Sequence, residues 1–148
     1  MDDTKKQAKI VIVEDNMALA DVYKTRLELI GYSCLTAFDG QTALELIKKE
    51  LPDLVLLDLM VPKIAGDQIL ATMRANDWGK HIPVYIISNL NEDDAPAGLR
   101  QLGIDGYSVK ANLSNDDLDK IVDNILKPPG QKEDINLETE TSVTSTNV

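Results

Sequence analysis

The feature that most constrains the fold is a set of short runs with no polar residue in them: Ile10-Val11-Ile12-Val13, Leu54-Val55-Leu56-Leu57 and Val84-Tyr85-Ile86-Ile87. A strand with one face in water alternates apolar and polar residues, so an unbroken run is a strand covered on both faces. Between the runs the apolar spacing changes to that of helices. Ala20, Tyr23, Leu27 and Ile30 share a helical face, with Asp15 or Asn16 as the cap and Gly31 as the stop. Ser33 to Ala37 reads as a second strand, and Asp39-Gly40 opens a helix that uses Ala43, Leu44 and Ile47. Pro52 breaks the chain before the Leu54 run, and a helix from about Asp67 to Asn76 precedes the Val84 run. The segment from Asp93 to Leu102 reads as a weak fourth helix ending at Gly103. Pro96 lacks an N–H and is tolerated only in a first turn, so this helix should begin near Asp93 or Asp94. Tyr107-Ser108-Val109 is a brief fifth strand. Ser114 with Asp117 three residues on starts a capped fifth helix, whose stripe is Leu118, Ile121, Val122, Ile125 and Leu126.

Five strands alternating with five helices imply parallel crossovers and an α/β, doubly wound sheet. In such sheets the functional crevice lies at the carboxyl ends of the strands. The folded domain is expected over residues 9–127, after an N-terminal tail of residues 1–8. Past Pro128-Pro129-Gly130 the chain is rich in Ser, Thr, Glu and Asn, and residues 128–148 are expected to be a disordered C-terminal tail.

Composition removes several classes of function. The longest apolar runs fall far short of the ~20 residues of a membrane span, and Met1 to Lys6 is too polar for an export segment. A single cysteine, Cys34, excludes an internal disulfide framework and suits a reducing compartment. The formal net charge of −10 opposes nucleic acid and anionic membranes as partners. A cytoplasmic, acidic, soluble domain is expected.

At the strand ends the polar residues gather. Strand one ends in Glu14-Asp15, strand three in Asp58, strand four in Ser88, and strand five just before Lys110. Three carboxylates on one sheet edge would repel one another and raise their own pKa values. A divalent cation with all-oxygen ligands resolves this, and Mg²⁺ suits a site of few carboxylates plus water and phosphate oxygens. Lys110 adds positive charge, and Ser88 a hydroxyl that can donate to a phosphoryl oxygen. The chemistry open to such a set is phosphoryl transfer to a carboxylate.

These residues resemble the receiver domain of two-component response regulators, as a stand-alone domain similar to the chemotaxis regulators, over roughly Lys9 to Leu126. Asp58-Leu59-Met60-Val61-Pro62-Lys63-Ile64-Ala65-Gly66 is similar to that family's segment from the phosphorylated Asp through its proline to its glycine. Ser88 matches the hydroxyl switch residue. Leu102 to Lys110 resembles the final motif, with Tyr107 at the switch aromatic and Lys110 at the essential lysine. The resemblance implies a flavodoxin-like five-stranded parallel sheet of order 2-1-3-4-5 with five helices. It implies Asp58 as the phosphoacceptor and Mg²⁺ bound directly by Asp15, Asp58 and the Met60 backbone carbonyl, with Glu14 acting through water. It further implies that phosphorylation draws Ser88 toward the phosphoryl group and lets Tyr107 turn inward, remodelling the face of the fourth helix, fifth strand and fifth helix. The donor would be a histidine kinase or a histidine phosphotransfer protein. The chain would be a switch, not an enzyme in the ordinary sense, although it promotes its own phosphorylation and dephosphorylation. With no output domain expected, the signal passes to a docking target protein or onward by relay.

Two positions depart from the family's pattern. Ala111 follows Lys110 where proline is usual, so the intervening peptide is expected to be trans. Asn89 follows Ser88 where a small residue is usual. Other classes fit less well. A flavin or nucleotide module needs a phosphate-friendly loop after strand one, where Glu14-Asp15-Asn16 would repel phosphate. An aspartyl-phosphate phosphatase would want an acid two residues after the nucleophile, where Met60 stands. The remaining alternative is a degenerate receiver acting as a phosphorylation-independent protein-interaction module. Cys34 reads as a small core residue, His81 and Trp78 as parts of a connection, and Ser114 as a helix cap.

Overall fold

Alternate residues of the same strands feed two separate cores, which is why the apolar runs are unbroken. A computed structural model describes residues 7–127 of the chain. Its elements are β1 (Lys9–Val13), α1 (Met17–Leu29), β2 (Ser33–Ala37), α2 (Gly40–Glu50), β3 (Leu54–Leu57), α3 (Gly66–Arg74), β4 (Val84–Ser88), α4 (Leu99–Leu102), β5 (Gly106–Val109) and α5 (Asn115–Leu126). All pairings are parallel, in the order β2-β1-β3-β4-β5. Val11, Val13, Val55, Leu57, Val84 and Ile86 point to one side, where α2, α3 and α4 cover them. Ile10, Ile12, Leu54, Leu56 and Ile87 point to the other, against Ala20, Tyr23 and Leu27 of α1 and Leu118 and Val122 of α5. The flavodoxin-like, doubly wound sheet expected from the sequence is therefore present. Arg26 of α1 binds α5 through Asp119 at 2.7 Å and Asp116 at 3.1 Å, and the Tyr32 hydroxyl donates to Asp123.

Local signals place the helices as expected, with small adjustments. The Asn16 side chain, rather than Asp15, caps α1 by accepting from Leu19 N–H at 3.0 Å. Asp39 caps α2 through Thr42 N–H, and Ser114 and Asp117 form a reciprocal capping box on α5. Ile30, expected on the buried stripe of α1, lies past the helix end and is exposed. On α5 only Leu118 and Val122 of the expected stripe are fully buried. The N-terminal tail expected over 1–8 lies outside the described residues except for Gln7 and Ala8. The Ala8 carbonyl accepts from Ser33 N–H at 2.9 Å and so extends the β1–β2 ladder. The disordered C-terminal tail expected over 128–148 also lies outside the described residues.

The fourth helix is where sequence reasoning failed. Pro96 does not start a helix near Asp93 or Asp94. Glu92–Asp94 form a single 3-10 turn, and Ala95 is extended (φ −79°, ψ 163°), as the steric demand of the following proline requires. Gly98 then takes φ +92°, a left-handed conformation, and the α-helix is only the four residues Leu99–Leu102. The guanidinium of Arg74 donates to the carbonyls of Leu102 (2.8 Å), Gly103 (2.8 Å) and Gly79 (2.9 Å), anchoring this one turn to the end of α3. Among the described residues no peptide is cis, so Lys110–Ala111 is trans as expected. A 3-10 turn over Lys110–Asn112 carries the chain into α5.

Candidate functional site

The carboxyl ends of β1, β3 and β5 bring Glu14, Asp15, Asp58 and Lys110 together, while Ser88 ends β4 and Tyr107 lies within β5. Asp58 follows β3 directly, and its N–H donates to the Val13 carbonyl at 3.0 Å, which fixes it beside the end of β1. Its Oδ1 accepts from Met60 N–H at 3.1 Å. The loop then folds back, with Gly66 N–H on the Leu59 carbonyl at 2.9 Å. A Cβ at Gly66 would overlap the Asp58 carbonyl oxygen and lie 2.6 Å from the Leu59 Cα, so only glycine lets α3 start this close to Asp58. Within the loop Lys63 holds φ +74° in a tight turn closed by Ile64 N–H on the Pro62 carbonyl, backbone strain of the kind that collects at functional sites.

Glu14 and Asp58 are 2% and 4% exposed. Lys110 lies between them, with its ammonium 2.6 Å from Glu14 Oε1 and 2.8 Å from Asp58 Oδ2. Glu14 Oε2 accepts from Asn16 N–H at 3.0 Å. Burial raises the Glu14 pKa, the bonds from Lys110 and Asn16 oppose the rise, and the Asp58 charge adds to it. Burial works against the Lys110 ammonium, but the Asp58 and Glu14 carboxylates outweigh it and hold its pKa above the usual lysine value. One lysine faces three acids, since Asp15, which is exposed, presents an oxygen within 4.8 Å of oxygens of both Glu14 and Asp58. An all-oxygen set carrying more negative charge than its lysine balances fits a hard divalent cation such as Mg²⁺.

Ser88 is fully buried at the end of β4, and its Oγ accepts from Leu90 N–H at 3.3 Å. Tyr107 on β5 packs against the core on the α3 side, and its hydroxyl donates to the Leu90 carbonyl at 2.7 Å. In this structure the Tyr107 ring is thus turned toward the core and tied to the loop after Ser88. The Met60 side chain is 58% exposed, two residues past Asp58. Two further residues fall outside the site expected from the sequence. Arg74 anchors α4, and nothing in the order of residues marks it. Tyr23 lies beneath the acids, and its signal was available: a hydroxyl on the otherwise aliphatic stripe of α1. Among the described residues no helix is long and apolar enough to cross a membrane.

Solved structures share this architecture. The signal receiver domain of a LuxO repressor protein from Vibrio parahaemolyticus superposes with a TM-score of 0.75 at 25% identity, covering 92% of this chain and all of that one. The chemotaxis response regulator CheY4 of Vibrio cholerae gives a TM-score of 0.74 at 23% identity, covering 82% of this chain and all of that one, a likeness of fold alone. The class of protein is thus a CheY-type α/β domain with an acidic site on its carboxyl edge. The response regulator receiver domain family matches residues 10–123, and the chain belongs to that family. A curated relative, a probable transcriptional regulator of the ycf27 type from Galdieria sulphuraria, is 40% identical over 111 residues, 74% of this chain and 42% of the relative. The chain spans less than half the length of such curated relatives.

Proposed function

We propose that the chain is a phosphorylation-activated signalling switch in which Asp58 accepts a phosphoryl group from a histidine kinase or a histidine phosphotransfer protein. The observation that carries this reading is the meeting of Glu14, Asp15 and Asp58 at one sheet edge with Lys110 bridging two of them. Asp15, Asp58 and the Met60 carbonyl would hold Mg²⁺, with Glu14 acting through water. When bound, Mg²⁺ supplies positive charge to the oxygens of the transferred group.

In the transfer an Asp58 carboxylate oxygen forms a bond to phosphorus. The bond from phosphorus to the donor's imidazole nitrogen breaks, and its electron pair stays on that nitrogen. The product is an acyl phosphate on Asp58. Lys110, now on Asp58 Oδ2, then pairs with a phosphoryl oxygen. Ser88 Oγ accepts from Leu90 N–H, which leaves its own proton to donate to the phosphoryl group. Moving Ser88 disturbs Leu90, whose carbonyl holds the Tyr107 hydroxyl, so the signal leaves by the α4–β5–α5 face. The recipient is a target protein docking there. The relatives' names point to control of transcription as the class of output. The acidic receiver would contribute through protein contacts rather than nucleic acid. Buried, reduced Cys34 suits the cytoplasm. The domain works as a switch that promotes its own labelling and loss of label.

Incubation with acetyl phosphate and Mg²⁺, read by intact mass, tests the reading. One phosphoryl mass should appear on the parent, and Asp58→Asn or chelation of the metal should abolish it. Equal labelling of Asp58→Asn would place the acceptor elsewhere. An unlabelled parent would turn the reading to a phosphorylation-independent interaction module.

A further inference from the structure

The chain has four tyrosines. Three have hydroxyls with partners: Tyr32 donates to Asp123, Tyr85 shares a hydrogen bond with Ser108, and Tyr107 donates to the Leu90 carbonyl. Tyr23 is the most buried of the four, at 7% exposure, and among the described residues its hydroxyl has no hydrogen-bond partner. Buried polar groups are nearly always bonded, so an orphan of this kind points to something that satisfies it.

Tyr23 lines a small cavity between α1 and the sheet, together with Ile12, Leu56, Ile87, Glu14 and Asp58. Its volume, about 10 Å³ for the centre of a water-sized sphere, is room for roughly one water molecule. Burial raises the Tyr23 pKa and the Glu14 charge adds to the rise. The phenol therefore stays protonated as a donor, and the acids act on it from across the cavity. Each Glu14 oxygen accepts one hydrogen bond, from Lys110 or from Asn16 N–H, and keeps a second lone pair.

We propose that one water in this cavity joins the Tyr23 hydroxyl to the Glu14 carboxylate, making Tyr23 a positioning residue that fixes Glu14 from beneath for the divalent cation. The inference rests on the reading of the site given above. The water accepts from Tyr23 and donates to Glu14 and Asp58, three partners in all, the usual number for a buried water. Removing a group that holds a metal ligand in place costs about tenfold in metal affinity at the low end.

The test uses Tyr23→Phe and Tyr23→Leu in the full chain. Mg²⁺ is titrated calorimetrically, acetyl phosphate labelling is followed against Mg²⁺ concentration, and metal-free parent and Tyr23→Phe are crystallised. An ordered water touching Tyr23 and Glu14 is expected in the parent and not in the variant. Both variants should bind Mg²⁺ roughly tenfold more weakly. Tyr23→Phe should keep the parent's labelling rate at saturating Mg²⁺ and its metal-free melting midpoint. A dry cavity in the parent overturns the proposal, as does Mg²⁺ affinity in Tyr23→Phe within twofold of the parent. A lowered midpoint with unchanged affinity marks a purely structural tyrosine and overturns it too. A parent that neither binds Mg²⁺ nor takes phosphate defeats the reading of the site and this inference with it, whereas a parent that does both while Tyr23→Phe matches its affinity defeats this inference alone.

Discussion

Replacing Lys110 with alanine leaves two buried carboxylates without the cation that lies between them. In the parent the ammonium is 2.6 Å from Glu14 and 2.8 Å from Asp58, with side-chain exposures of 13%, 2% and 4% for the three residues. At an effective dielectric near 20 each contact carries about 6 kcal/mol of attraction, most of it offset by the desolvation of three charges. Removing one partner of such a buried set costs about 3–5 kcal/mol, because the remaining charges stay buried and repel. For a domain of this size that is a fall in melting midpoint of roughly 12–20 °C, and a domain of ordinary stability survives it folded. The loss should also depend on pH. Glu14 titrates above its ordinary value in the folded state, so the native protein binds the proton more tightly than the unfolded chain does. Its contribution to stability is present at low pH and is lost as pH rises through the raised pKa. Without Lys110 that pKa rises further and the window of loss extends upward. Lys110 itself is charged from pH 5 to 8, since its pKa is raised, so the pH dependence comes from Glu14. Urea unfolding of parent and Lys110→Ala in chelator at pH 5 and pH 8 should give the full penalty at pH 8 and a clearly smaller one at pH 5. Millimolar Mg²⁺ should then stabilise the variant more than the parent, because a cation that binds only the folded site restores the missing charge. A penalty below about 1 kcal/mol at pH 8, or one equal at both pH values, would refute the account of Glu14 and Asp58 as a charge pair held by Lys110.

Two further outcomes follow from neighbouring residues. Met60, exposed beside the acceptor, and Leu90, beside Ser88, are apolar where polar groups could orient a hydrolytic water, so the Met60→Asn, Leu90→Glu double variant should lose phosphate faster than the parent in a mass-based decay assay. Equal or slower decay would remove apolar shielding as the control on lifetime. Arg74→Met strips three carbonyls of a charged donor, worth about 1.5–3 kcal/mol per such bond, and should speed amide exchange of residues 99–103 while leaving α5 unchanged. Exchange in that turn as slow as in the parent would show that packing of Leu99, not the guanidinium, holds it.

The sequence by itself determined the layered architecture. Runs such as Ile10–Val13 and Leu54–Leu57 carry no polar position, and only a sheet covered on both faces can bury them. Caps at Asn16, Asp39 and Ser114 act within three residues, so their hydrogen bonds could be read in order along the chain. The site was legible for a related reason. Residues at the ends of parallel strands share one edge whatever the details of packing, and that rule alone gathers Glu14, Asp15, Asp58, Ser88 and Lys110. What only the tertiary structure decided depends on contacts between distant segments. Pro96 was compatible with a first helical turn, but Ala95 stays extended and α4 shrinks to Leu99–Leu102, where Arg74 can reach its last carbonyls from α3. Tyr107 found its partner in a loop seventeen residues away, so its inward position could not be read locally. The cavity that joins Tyr23 to Glu14 and Asp58 exists because three strands and one helix meet there, and a void between elements leaves no mark on the order of residues.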